Sequence, residues 1–143
     1  MSKQLLGLAI SIAAKAFKDK LDKSGEPYIF HCIRVMQKQN TDTRKIIAIL
    51  HDLIEDTDWD FDELAKKGFL NSVIIPLRLL THDPITRTYE EYIAEISTNE
   101  DARAVKIADL EDNSQITRLK GLTKADFARM EKYHKAYVYL SKV

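Results

Sequence analysis

The stretch Arg44-Lys-Ile-Ile-Ala-Ile-Leu-His-Asp-Leu-Ile-Glu-Asp56 decides how the rest of the chain is read. Ile46, Ile47, Ile49, Leu50 and Leu53 recur at helical spacing, so the segment predicts a helix from Arg44 to about Glu55. Ile49, Leu50, Leu53 and Ile54 surround His51 and Asp52, so that ionisable pair faces inward. An inward His-Asp pair must be satisfied, because desolvating it alone is costly. Two readings stand side by side. One is a hydrogen-bonded core histidine with a helix-end carboxylate. The other is a metal site, for which imidazole plus carboxylate is a suitable ligand set. Glu55 and Asp56 follow one turn after His51 and Asp52. Clustered acids repel one another unless a cation or protons intervene. Acids at a helix C-terminus also oppose the macrodipole, so mere helix ending explains Glu55 and Asp56 poorly.

Outward from this segment the apolar positions stay helical. Leu5, Leu6, Leu8, Ala9, Ile12, Ala13, Ala16 and Phe17 form the stripe of a first helix, which Asp22-Lys-Ser-Gly-Glu26 breaks. Pro27 suits the first position of a second helix running to about Gln39. Asn40 to Thr43 form a polar turn before the central segment. Downstream, Asp60 with Glu63 and Thr88 with Glu91 are capping boxes. They open a short helix ending at Gly68 and another reaching Ser97. A helix from about Ser72 to Thr81 lies between them, weakened by Pro76. Asn99 caps a helix to about Leu119, and Thr123 with Asp126 opens the last. No alternating segment of useful length competes. The expectation is an all-α single domain over residues 1–143, with seven or eight helices.

Composition narrows the function. The 143 residues carry 22 Lys plus Arg against 22 Asp plus Glu, a formal net charge of +0. The basic excess on which nucleic-acid and membrane-surface binders rely is missing overall. The expected ligand is therefore a small molecule, with no nucleic acid and no membrane. Leu5 to Ala14 is too short an apolar run to span a bilayer, and Lys15, Lys18 and Lys20 stand where a signal-peptide cleavage site would be. With Cys32 the single cysteine, no internal disulfide forms, which suits a cytoplasmic location.

Two further segments bear on the His-Asp pair. His31 sits among Phe30, Ile33 and Val35. Lys106, Asp109 and Asn113 share one helical face, with Asp109 flanked by Val105, Ile107, Ala108 and Leu110. The order His31…His51-Asp52…Asp109 resembles the metal pattern of the HD-domain phosphohydrolase superfamily. More closely, Gly25-Glu-Pro-Tyr-Ile-Phe-His31, His51-Asp-Leu-Ile-Glu-Asp56 and Val105-Lys-Ile-Ala-Asp-Leu-Glu-Asp-Asn113 resemble the hydrolase domain of RelA/SpoT alarmone enzymes and the stand-alone small alarmone hydrolases. The resemblance runs from about Ala13 into the last helix.

That resemblance implies an enzyme that hydrolyses a phosphate or pyrophosphate ester on a nucleotide, as a (p)ppGpp 3'-pyrophosphohydrolase does. It implies that His31, His51, Asp52 and Asp109 hold one divalent ion, Mn²⁺ in the family. Glu55 and Asp56 match the catalytic acidic pair. Lys23, Lys106 and Asn113 match substrate-contacting positions. Three departures bear on the substrate. Asp22 stands where an arginine usually packs on guanine. Ile116 replaces a threonine, and Asp112 stands where the alarmone enzymes commonly have histidine. The hydrolytic centre matches and the guanine pocket does not, so another nucleotide is the alternative substrate. A non-catalytic nucleotide- or metal-binding regulator on the same scaffold is the competing reading, and the intact Glu55-Asp56 pair speaks against it. Among other residues, His82 reads as a loop or gate residue. Trp59 reads as a loop anchor. The stripe of Tyr133, Tyr137 and Tyr139 beside His134 reads as core or a self-association surface, which keeps a homo-oligomer among the partners.

Overall fold

The computed structural model describes residues 2–142. Its helices in chain order are α1 (Ser2–Ala16), α2 (Ile29–Gln37), α3 (Asp42–Leu50), α4 (Leu53–Asp56), α5 (Phe61–Lys66), α6 (Asn71–Leu80), α7 (Tyr89–Ile96), α8 (Glu100–Asn113) and α9 (Lys124–Ser141). A 3₁₀ turn at Ile116–Arg118 separates the last two. Among the described residues there is no β-strand, only an isolated antiparallel bridge between Leu21 and Pro27. The all-α expectation holds.

Helix α3 is the axle of the fold. Ile46, Ile47, Ala48, Ile49 and Leu50 are all buried. It packs against α1, α2, α6 and α8. The last five residues are its buried end, which explains why Ile46 to Leu50 run apolar without alternation, while Asp42 to Lys45 at its start are polar and half-buried. Burial of such side chains contributes roughly 1.5–3 kcal/mol each.

The helix starts follow local rules. Thr41 accepts from the Arg44 N–H, and Asn99 accepts from the Ala102 N–H. Asp60 with Glu63, Thr88 with Glu91 and Thr123 with Asp126 all form the reciprocal capping box. Gly68, at φ +103°, closes α5 in the left-handed region that side chains disfavour.

Three boundaries differ from expectation. The helix expected over Arg44 to Glu55 stops at Leu50 and restarts at Leu53, because Asp52 leaves helical geometry at φ −102°, ψ 1°. Helix α2 begins at Ile29 rather than Pro27, since Pro27 pairs with Leu21 in the isolated antiparallel bridge. Helix α6 forms where expected, at Asn71–Leu80, and runs through a buried Pro76 at the loss of one backbone donor. Helix α8 ends at Asn113, well before Leu119.

Candidate metal centre

The break after Leu50 sets the site. His51 and Asp52 sit in the turn between α3 and α4, so both side chains point to the same side, toward α2 and α8. Helix α2 supplies His31 and helix α8 supplies Asp109. One ligand atom from each of His31, His51, Asp52 and Asp109 lies within 4.8 Å of the others. His51 Nε2 is 3.0 Å from Asp52 Oδ2 and 3.2 Å from Asp109 Oδ1. His31 Nε2 is 3.0 Å from Asp109 Oδ1 and 3.8 Å from Asp52 Oδ2.

The far side of each imidazole fixes its tautomer. His51 Nδ1 donates to the Ala48 carbonyl at 2.6 Å. His31 Nδ1 donates to Asp112 Oδ2 at 2.6 Å. In both rings the Nε2 lone pair is then turned to the common point, and His31 Nε2 is a buried polar atom without a hydrogen-bond partner. Two neutral imidazoles and two carboxylates at one buried point suit a divalent ion, so the residues fit the cation that the resemblance implies.

Each carboxylate is itself braced. Tyr28 donates its hydroxyl to Asp52 Oδ2. Lys106 Nζ reaches Asp109 Oδ2 at 2.8 Å, and Asn113 Nδ2 reaches Asp109 Oδ1 at 3.0 Å. Burial alone raises the Asp109 pKa, but the Lys106 and His51 charges outweigh it and hold the carboxyl well below its usual range. Burial lowers the His51 pKa, yet the charges of Asp52 and Asp109 more than offset it, so this imidazole sits well above its ordinary value. A proton and a metal ion compete there for one lone pair.

Asp112 is the residue whose role the sequence concealed. It is 2% exposed. Besides His31, its carboxylate accepts Arg34 Nε at 2.7 Å, Arg34 Nη2 at 3.1 Å and Arg118 Nη2 at 3.3 Å. Burial pushes its pKa up, and the His31 and Arg34 hydrogen bonds pull it down further than that. One of the three residues that depart from the alarmone pattern is thus the one that orients His31.

The acidic pair lies at the rim, exposed. Glu55 Oε1 accepts the His82 backbone N–H. Partial burial of its carboxyl, aided by the Asp52 charge, raises the Glu55 pKa. Asp56 pairs with Lys20 Nζ at 2.8 Å, and that ammonium lies 4.1 Å above the Tyr28 ring.

The cluster lies between two pockets. One, of about 370 Å³, is lined by His31 with Lys23, Arg34, Arg118, Arg129 and Tyr133. The other, of about 500 Å³, is lined by Asp52 and Glu55 with His82, Tyr89, Lys106 and Lys132. Asn113 and Tyr133 belong to both. Lys23 therefore stands away from Glu55 and Lys106 beside it. Asp22 does not face the pocket as a free charge. Its Oδ1 accepts the Ser24 N–H at 2.8 Å, the Ser24 hydroxyl at 2.7 Å and the Glu26 N–H at 3.0 Å. Gly25 completes that loop at φ +89°. Ile116 is exposed in the 3₁₀ turn. Cys32 is fully buried, and burial pushes its thiol up to about 12. Tyr133 and Tyr137 pack on the core, while Tyr139 is exposed. No helix among the described residues is long and apolar enough to cross a membrane.

No protein-family model matches the chain, and no curated protein matches it. Solved structures do. One is a metazoan ortholog of SpoT, described as hydrolysing ppGpp and as having a role in starvation responses. It superposes with a TM-score of 0.79 at 23% identity, over 95% of this chain and 84% of that one. At that identity the shared property is the fold. The chain therefore has the all-α fold of a SpoT ortholog, and it carries a cluster of two histidines and two aspartates able to hold a metal ion.

Proposed function

We propose that the protein is a metal-dependent phosphohydrolase acting on a phosphate or pyrophosphate ester of a nucleotide. The observation that carries this reading is the convergence of four ligand atoms on one buried point, with both imidazoles held in the ligating tautomer from behind. His31, His51, Asp52 and Asp109 would hold the ion, Mn²⁺ by the resemblance. When bound, such an ion lowers the pKa of a coordinated water and polarises a phosphoryl oxygen.

The chain's own residues do the rest. Two carboxylates and the Lys106 ammonium leave the ligand set with one net negative charge, so a divalent cation turns the site positive toward phosphate. Glu55 takes a proton from the attacking water. Its Oε1 is fixed by the His82 N–H, which leaves Oε2 without a partner among the described residues. A raised pKa makes Glu55 a better proton acceptor than an ordinary surface glutamate. Asp56, steadied by Lys20, flanks the same rim. Lys23 and Asn113 contact the nucleotide, and Lys106 bridges Asp109 to a phosphoryl oxygen.

The substrate is open at the base. With Asp22 tied to its own loop, the position that packs on guanine in the alarmone enzymes offers no planar cation here. A phosphate-release screen with Mn²⁺ across nucleotides, guanine and adenine alarmones included, tests the reading. Release from at least one of them, lost in Asp52→Ala, is expected. Tight nucleotide binding without release from any of them would instead favour a non-catalytic regulator.

A further inference from the structure

The four side chains of the cluster are not equally confined. His31, His51 and Asp109 are 4%, 3% and 5% exposed at the side chain, whereas Asp52 is 19% exposed. Asp52 also lines the larger pocket, so there is open space beside its carboxylate. Its own helix does not restrain it. Asp52 stands at the break between α3 and α4, and its side chain caps no backbone N–H. A ligand with this freedom needs a partner behind it to stay aimed at the common point.

The other three ligands each have such a partner. His31 has Asp112, His51 has the Ala48 carbonyl, and Asp109 has Lys106 and Asn113. Among the described residues the one side chain outside the ligand set that bonds the Asp52 carboxylate is Tyr28, through its hydroxyl. The acceptor is Oδ2, the same oxygen that lies 3.0 Å from His51 Nε2 and 3.8 Å from His31 Nε2. A hydroxyl donating to a carboxylate makes a charge-assisted and directional hydrogen bond. It occupies one acceptor site of that oxygen and leaves others free for the cluster.

Tyr28 is itself well held. The Lys20 carbonyl accepts its N–H at 2.9 Å, and the Lys20 ammonium sits 4.1 Å above its ring. The ring centroid lies 5.2 Å from Phe17 and 5.5 Å from His31. The Tyr28 carbonyl accepts the His31 N–H at 3.0 Å, so the phenol and this imidazole belong to the same turn. One residue therefore touches the ring of one ligand and the carboxylate of another.

We propose that Tyr28 is a positioning residue for the metal: its hydroxyl holds Asp52 Oδ2 at the cluster and keeps that carboxylate from turning into the larger pocket. The role rests on the reading of the four side chains as metal ligands.

The test is isothermal titration of the full chain, stripped of metal by a chelator, with Mn²⁺. Tyr28→Phe deletes the hydroxyl and keeps the ring against Phe17, His31 and Lys20, and circular dichroism checks the fold. Mn²⁺ affinity is expected to fall about tenfold, the low end for removing the partner behind a ligand, because Asp52 itself remains. Tyr139→Phe, the same deletion at an exposed position of α9, leaves the affinity unchanged. A second readout is the ultraviolet difference spectrum on adding Mn²⁺. A metal that draws charge from Asp52 perturbs the phenol bonded to it, so a tyrosine signal is expected in the wild type and in Tyr139→Phe and is lost in Tyr28→Phe. Wild-type Mn²⁺ affinity in a folded Tyr28→Phe overturns the proposal and leaves the metal reading standing. The same affinity with a lowered melting temperature would make the hydroxyl a purely structural group. A wild type that binds no Mn²⁺ overturns the metal reading and the positioning role with it.

Discussion

Asp112→Asn changes one atom, and its consequence can be worked from the site. The Asp112 carboxylate accepts from His31 Nδ1 at 2.6 Å on one side and from Arg34 Nε at 2.7 Å on the other. An asparagine has one acceptor and one donor end. If the amide oxygen faces Arg34, its NH₂ meets His31 Nδ1, which must become the acceptor. The proton then moves to Nε2, the atom turned into the ligand cluster, and His31 stops being a ligand. If the amide is turned round, two donors confront each other at Arg34, within a site only 2% exposed. Removing such a partner of a ligating histidine typically lowers metal affinity 10–100-fold, or about 1.4–2.8 kcal/mol. The upper end is expected here, because the substitution also removes a negative charge behind the imidazole. Isothermal titration with Mn²⁺ measures the change, and circular dichroism checks that the fold persists. Arg34→Met, which loosens Asp112 without touching His31, should give an intermediate loss. Mn²⁺ affinity within twofold of wild type in a folded Asp112→Asn would refute the idea that Asp112 orients His31.

Glu55→Gln should bind Mn²⁺ as the wild type does while turnover falls by roughly 10²–10⁴, the usual worth of a general base. Asp22→Ala should loosen the 22–26 loop, read as faster amide exchange at Ser24 and Glu26, whose N–H groups it holds. Burial raises the Asp22 pKa, but hydrogen bonds from Ser24 and Glu26 lower it further. Its net depression means the contribution is present above about pH 4 and lost as acid protonates it. Amides whose protection stays unchanged as pH falls through the Asp22 titration would contradict this. Leu50→Ala, at the end of the central helix with no solvent exposure, should cost about 2–5 kcal/mol in urea unfolding. A smaller loss would mean the surrounding helices close the gap.

What the sequence made legible was mostly what is local. The capping boxes at Asp60, Thr88 and Thr123 are four-residue devices, and each forms as spelled. The apolar stripes locate every helix except α4, which their spacing runs together with α3, because burial and spacing agree. Interruptions that arise from distant partners were not legible. The periodicity of Arg44 to Glu55 runs straight through His51 and Asp52, yet the chain breaks there, where Tyr28 and His31 meet Asp52 and Asp109 meets His51. Helix α8 has no glycine or proline to stop it, but Arg118 turns back to the Asp112 carbonyl and carboxylate. Asp112 could be seen only as an odd residue, since its partner His31 is 81 positions away. The same holds for Glu55, whose oxygen is held by a backbone group 27 residues on. By contrast His31, His51, Asp52 and Asp109 were legible together, because polar residues in apolar surroundings stand out wherever they lie.

The two pockets share one wall, Asn113 and Tyr133. Anything bound on one side presses on the same phenol and amide as anything bound on the other. The Asn113 amide is also the group that reaches Asp109. A ligand on either side would touch residues that also line the other, one of which reaches the ligand cluster. Changes made on opposite sides should not simply add, because neighbours with a shared partner rarely do. A molecule long enough to lie across this wall gains from both sides at once. Two shorter molecules, one in each pocket, compete for the same partition.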